Sequence, residues 1–482
     1  MKKRLRAILT AVVVLVTACA FTACSKTSEP PRSKYTITAT LDADTMTLDA
    51  TCKIDYANRT EVELSEIKFH LYPAAYRDGA KFAPVSAAES ENAYPSGIRY
   101  GGITIEAVTG GEWAIGGQDE DILCVTLPSS IMPTERATVT VEYTLSIPNM
   151  RHRLGYDNGT VNLGNFFPIE CAYEGGFVES SYYAYGDPFN LSVCDYDFTI
   201  TAPVSLTVAC PAPATRREEG MLATTHCAIK NARDFAVVLG AFDTRSQKAG
   251  NTEVTYYYLA DENAEAHLQA AVDALSYFSS TFGAYPYPSY AVVQTAFNQG
   301  GMEYTGLVYA SDAAQDKMMT EIIVHETAHQ WFYGLVGNDQ IENAWQDEAL
   351  AEYATTLFYA HHPDYGVTYE ARIADAMSSF SFYTELRRGA DTSMNRALYE
   401  FGSETEYTFM TYVKGQLLYD TLRSAIGEEK LTAGLKRYVR EYTYRTATPD
   451  ALIACLEKAA NRELKGVVES FLDGSAKLYG GV

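Results

Sequence analysis

Two periodicities divide the chain. From Tyr35 to about Phe242 apolar and polar positions alternate. Met46, Leu48, Ala50, Cys52, Ile54 and Tyr56 interleave with Thr47, Asp49, Thr51, Lys53 and Asp55. Ala137, Val139, Val141, Tyr143 and Leu145 interleave with Thr138, Thr140, Glu142 and Thr144, and Tyr196, Phe198 and Ile200 follow the same rule. Side chains on a strand point alternately to its two faces, so each run has one apolar and one wet face. Short runs of this kind between turn residues predict antiparallel strands, packed as a sandwich or saddle of about 200 residues.

After Asp261 the period lengthens. Leu268, Val272, Leu275, Phe278 and Phe282 step by four, three, three and four, one stripe of an amphipathic helix. Gly283 suits the position just past its end, and Pro286 and Pro288 prevent continuation. Further helices are predicted near 317–335, 345–361, 410–426, 428–441 and 449–471, the last opening on Thr448-Pro449-Asp450. The expected fold is therefore α+β and multidomain: an antiparallel β domain over 35–245, then a mostly helical domain over 246–482.

Residues 1–24 change the picture of the N-terminus. Lys2, Lys3, Arg4 and Arg6 precede an apolar run, Ala7–Val16, that is too short for a membrane span and suits an export signal. Val16-Thr17-Ala18-Cys19 and Phe21-Thr22-Ala23-Cys24 both resemble the lipobox of bacterial lipoproteins. Cys24 is preferred because the polar segment after it reads as a tether, making 25–34 a linker. The expectation is an exported lipoprotein, held on the outer side of the cell membrane by acyl chains alone.

The composition, 47% hydrophobic and 21% charged, excludes a disordered chain. With 38 basic and 61 acidic residues the net charge is −23, which argues against nucleic acid and anionic lipid surfaces as partners. Of the cysteines after Cys24, none has CxxC spacing, so a cysteine zinc site is not expected. Cys210 and Cys227 are placed either to bridge a hairpin or to serve as small buried apolar residues.

The chemistry sits in the second helical stretch, at His325-Glu326-Thr327-Ala328-His329. Residues four apart share a helix face about 6 Å apart along the axis, so His325 and His329 can converge on one metal. Glu326 lies beside that face and can take a proton from water. Glu348 follows His329 after eighteen residues, at the start of the next predicted helix. Two histidines and one glutamate leave a coordination position open, the catalytic rather than the structural arrangement of Zn2+. Glu352, one turn further, is expected on an exposed helix face.

These residues resemble the gluzincin aminopeptidases, the aminopeptidase N and leukotriene hydrolase type, whose pattern is HExxH, eighteen residues, then Glu. Gly300-Gly301-Met302-Glu303-Tyr304 is similar to the family's Gly-Ala-Met-Glu-Asn segment, and Tyr412-Val413-Lys414-Gly415 to its Tyr-Glu-Lys-Gly. The resemblance covers about 285–470 and is looser over the β half, where Gly186-Asp187-Pro188 is similar to a family Asp-Glu-Pro segment. It implies a thermolysin-like catalytic domain and a zinc metallopeptidase that removes N-terminal residues from peptides. It further implies His325, His329 and Glu348 as metal ligands, Glu326 as general base and Tyr412 as oxyanion donor. Glu303 would grip the free α-amine, with Gly300, Gly301 and Met302 along the substrate. Two alternatives stay open: an endopeptidase on the same metal, and a lipoprotein that binds peptides without cleaving them.

The sequence departs from the family pattern at Tyr304, where Asn is usual, and at Gln346, Asp347 and Ala349 around the third ligand. The β half also lacks the family's Ala-Arg…Phe-Pro stretch; Asn165-Phe166-Phe167-Pro168-Ile169-Glu170 stands there instead. The chain ends just after the expected catalytic domain, whereas longer members continue into a helical domain that covers the cleft. A more open site is the expectation.

Overall fold

The computed structural model describes residues 32–478. The export signal and Cys24 lie outside the described residues. Within them, no helix is long and apolar enough to cross a membrane.

The alternating runs are neighbours in one seven-stranded sheet. Its order is Ala214–Glu219, Leu222–Ala232, Cys194–Pro203, Lys34–Asp42, Thr47–Ala57, Arg136–Ser146 and Gly102–Thr109. Leu48, Ala50, Cys52, Ile54 and Tyr56 stand opposite Leu145, Tyr143, Val141, Val139 and Ala137, so the two apolar faces coincide in register. Slipping either strand by one residue would turn this face to water, which is why the register is fixed. One pair departs from the expected antiparallel pattern: Lys34–Asp42 runs parallel to Cys194–Pro203. Two four-stranded sheets complete the β half. The cysteines at 52, 124, 171, 194, 210, 227 and 455 are free thiols, with Cys210 and Cys227 in contact and buried.

The second half begins with a mixed five-stranded sheet that the sequence pattern did not show. Its order is Asp243–Ala249, Thr252–Tyr258, Ser289–Thr295, Leu307–Ser311 and Gly301–Met302. The three inner strands are parallel, and Tyr290–Thr295 is buried without interruption. A strand covered on both faces carries no period-two signal. The edge hairpin brings Gly301 and Met302 against Tyr309 and Ala310.

Helices follow on this sheet: α1 (Ala264–Thr281), α2 (Asp316–Ala328), α3 (Trp345–His361) and α4 (Tyr369–Leu386). Next comes one helical stretch in three parts, α5 (Glu404–Thr408), a wider turn over Phe409–Val413, and α6 (Lys414–Ile426). The chain continues with α7 (Glu428–Tyr442), α8 (Pro449–Ala460) and α9 (Lys465–Leu472). Thr448 caps α8 as its sequence suggests, accepting from the Ala451 N–H. The helix expected over 449–471 is two, because Asn461 takes a left-handed conformation, φ 50°, and ends α8. The unforeseen α4 has only Tyr369, Ala376, Phe380 and Tyr383 buried, too narrow a stripe to stand out in sequence.

The candidate metal centre and its cavity

The central strand and α2 are joined by a side-chain relay. Tyr290 donates to Thr327 at 2.8 Å, and Thr327 donates to the Ile323 carbonyl at 2.6 Å. This fixes the rotation of α2 about its axis and turns His325 and His329 toward α3. Glu348 comes from the first turn of α3, whose start is tied down by Gln346, donating to Tyr438 Oη and the Ala447 carbonyl. Gln346 thus has a structural use for its departure from the family pattern.

The three expected ligands converge. His325 Nε2 and His329 Nε2 are 3.1 Å apart, and each is 3.2 Å from Glu348 Oε2. All three residues are buried. Tetrahedral donors at zinc–nitrogen distances of about 2.0–2.1 Å stand roughly 3.3 Å apart, so the triangle fits a zinc ion. The outer nitrogens are already engaged. His329 Nδ1 donates to the Phe332 carbonyl at 3.0 Å, and His325 Nδ1 donates to Glu352 at 3.2 Å. Both rings therefore direct Nε2 lone pairs inward.

Glu352 corrects the expectation of an exposed face. It is paired with Arg372, which also holds Glu321 at 2.6 Å, and it orients His325. Spacing alone contained the clue, since Glu352 is one turn from Glu348; Arg372, on α4, had no sequence signal.

Electrostatics suit a cation. Although burial opposes it, the pull of His329 and His325 holds Glu348 well below the ordinary carboxylate range. Against burial, Glu348 and Glu352 hold His325 up to about 10. A dication at the same atoms displaces those protons. Glu326 faces the site without a hydrogen bond to any described residue, and burial pushes its carboxyl up to about 7 against the pull of both imidazoles. Burial keeps the Tyr412 hydroxyl protonated well above its usual range, so it can donate at neutral pH. Its ring stacks on His325 with centroids 5.7 Å apart.

The site opens into a cavity of about 300 Å³, lined by Gly300, Gly301, Glu303, Glu326, the three ligands and Tyr412 from the second half, and by Arg153 and Asp187 from the β half. Glu303 is buried and accepts from Gln340 at 3.1 Å; the same amide donates to Asp347 at 2.7 Å. Burial first, and Asp187 next, push the Glu303 carboxyl well above its usual range. The preceding loop is locked from behind, because Gln330 accepts from the Gly306 N–H and donates to the Tyr304 carbonyl.

Gly301 is small for a reason the sequence did not give. A Cβ there would stand 2.6 Å from Glu326 Cδ, so the loop could not lie against that carboxylate. Met302 needs a correction: expected along the substrate, it is buried behind the cavity wall, its sulfur accepting from Arg153 Nε at 3.0 Å. Tyr304, the residue replacing Asn, reaches into the β half and donates to Asn165 at 3.1 Å. Asp187 lines the cavity paired with buried Arg153.

Comparisons with known proteins agree with this geometry. Residues 266–471 match the model of the peptidase family M1 domain. Endoplasmic reticulum aminopeptidase 2 of Bos taurus is 27% identical over 238 residues, 45% of this chain and 24% of that protein. Aminopeptidase N of Lactobacillus delbrueckii subsp. lactis is 27% identical over 216 residues, 41% of this chain and 25% of its own. The chain thus spans about a quarter of the length of these curated relatives. Among solved structures, an M1 zinc metallopeptidase from Deinococcus radiodurans shares the fold with a TM-score of 0.63 at 18% identity, over 93% of this chain and 94% of that one. The segment 266–471, which carries the gluzincin motifs, is thus similar to the peptidase family M1 domain, within a two-domain fold shared with an M1 zinc metallopeptidase.

Proposed function

We propose that the chain is a zinc aminopeptidase that removes residues from the free N-terminus of peptides. The observation that carries this reading is the placement of two carboxylates on one cavity. Glu326 stands unpaired beside a three-donor metal triangle, and Glu303 stands buried on the same wall. Both relatives named above carry the name aminopeptidase.

His325, His329 and Glu348 would hold the zinc, which when bound polarises the scissile carbonyl and makes water acidic. Glu326 takes the proton of the attacking water and delivers it to the leaving amine. The Tyr412 hydroxyl donates to the oxyanion of the tetrahedral intermediate. Glu303 pairs with the substrate ammonium, which must find a counter-charge once the cavity excludes water. That pairing sets the register at one residue from the N-terminus. The test is release of the first residue from unblocked peptides by the purified full chain, with and without a zinc chelator. Chelator-sensitive release restored by zinc supports the reading; release indifferent to chelation overturns it.

The N-terminal segment supports a lipoprotein anchored through Cys24, facing away from the cytoplasm, with peptides as its partners. Incorporation of labelled fatty acid in cells, lost on Cys24→Ser, tests the anchor.

A further inference from the structure

We propose that Glu404 makes the pocket for the first substrate residue selective for a cationic side chain, so that preferred peptides begin with arginine or lysine. The proposal rests on the aminopeptidase reading above.

Glu404, Thr408 and Tyr412 recur every four residues, and all three line the cavity together with Tyr407. One face of this helical stretch is therefore a wall of the site. Tyr412 marks its metal end, stacked on His325, and Glu404 lies two turns away. A substrate with its amine on Glu303 and its carbonyl at the metal end has room for its first side chain along this wall. Tyr407, in edge contact with Tyr412 at 5.9 Å, offers an aromatic surface for an aliphatic stem.

The charges along the wall are unequal. Asp187 is paired with Arg153, Glu303 with Gln340, Glu321 and Glu352 with Arg372, and Glu348 with the two histidines. Among the described residues, and apart from the proposed base Glu326, Glu404 alone of the lining carboxylates has neither a hydrogen bond nor an ion pair to its side chain. Arg153 is the cation whose charge reaches it, and the N–H groups of Arg153 go to Met302 Sδ, Tyr182 Oη, the Gly186 carbonyl and Asp187. Burial pushes the Glu404 carboxyl up to about 7, the mark of a group short of a counter-charge. A guanidinium or ammonium at the end of a three- or four-carbon stem supplies one.

The experiment compares kcat/KM for fluorogenic amides of lysine, arginine, norleucine, alanine and glutamate, using the purified zinc-loaded full chain. Lysine and norleucine share a stem and differ by the charge. The lysyl amide is expected to exceed the norleucyl amide by at least about tenfold. Glu404→Gln is expected to bring that ratio close to one, and Glu404→Asp to keep most of it, with zinc stoichiometry and melting midpoint checked for each. A native ratio of one or less, or a ratio untouched by Glu404→Gln, overturns the assignment even if other amides are cleaved. Cleavage of none of the amides overturns the aminopeptidase reading itself, and the assignment with it.

Discussion

In the proposed mechanism turnover depends on Glu326. Replacing it with glutamine removes the proton acceptor while leaving the three donors and their second contacts intact. The expected loss in kcat is about 10²–10⁴-fold with full zinc occupancy; retained turnover contradicts the role. The sign of the pH dependence follows from the same group. The base must be ionised to accept a proton, so activity falls as pH drops through its pKa. Burial sets that value near 7, and a cation on the three donors lowers it. The acid limb of kcat/KM is therefore expected on the acid side of neutrality, and a flat profile down to about pH 5 would place a different group in charge. Glu352 acts one shell out. Glu352→Ala frees the His325 ring and is expected to weaken zinc binding about 10–100-fold in a chelator competition. At this scale the sequence was most informative for the candidate ligands and the proposed base, because metal chemistry demands fixed residue types at fixed helical spacings. It was least informative for groups such as Arg372 and Arg153, which reach the site only through tertiary folding.

Among the elements, the contact of α3 with α6 deserves a direct perturbation because it carries Glu348. A Cβ on Gly415 would stand 2.9 Å from the Ala349 Cα, so the two helices approach as closely as backbones allow. Lys414, beside it, caps the Thr392 and Phe471 carbonyls with its ammonium. The Lys-Gly pair in the motif is thus explained by packing next to the third ligand and needs no contact with substrate. Gly415→Val is expected to cost about 1–3 kcal/mol and to lower zinc affinity, read by denaturation and metal titration. Unchanged affinity would show that α3 tolerates displacement. The legibility of elements followed their exposure. Half-buried strands and α1 left clear periods; the inner parallel strands, covered on both faces, and the narrow-striped α4 left none.

For the whole molecule, the junction of the two halves runs through Arg233. It is fully buried at the end of the strand Leu222–Ala232, and its guanidinium donates to the carbonyls of Leu191, Tyr333 and Arg445 at 2.7–3.0 Å. Tyr333 directly follows Phe332, whose carbonyl orients His329. One buried cation thus joins the β half to the segment behind the metal site. Arg233→Met leaves three carbonyls without that donor and is expected to cost about 3–5 kcal/mol, read as an earlier denaturation midpoint. An unchanged midpoint would mean that water replaces it. No local pattern in the sequence announced this residue, since its three partners lie far apart along the chain.

The central claim, that a buried carboxylate reads the free amine beside a catalytic metal, is tested most directly by a matched pair of peptides, one free and one acetylated at the N-terminus. Products of the zinc-loaded chain would be followed by mass spectrometry. Stepwise loss of single residues from the free peptide alone, abolished by chelation, is the expected result. Internal cleavage of both peptides at comparable rates would contradict the role of Glu303 and the exopeptidase register.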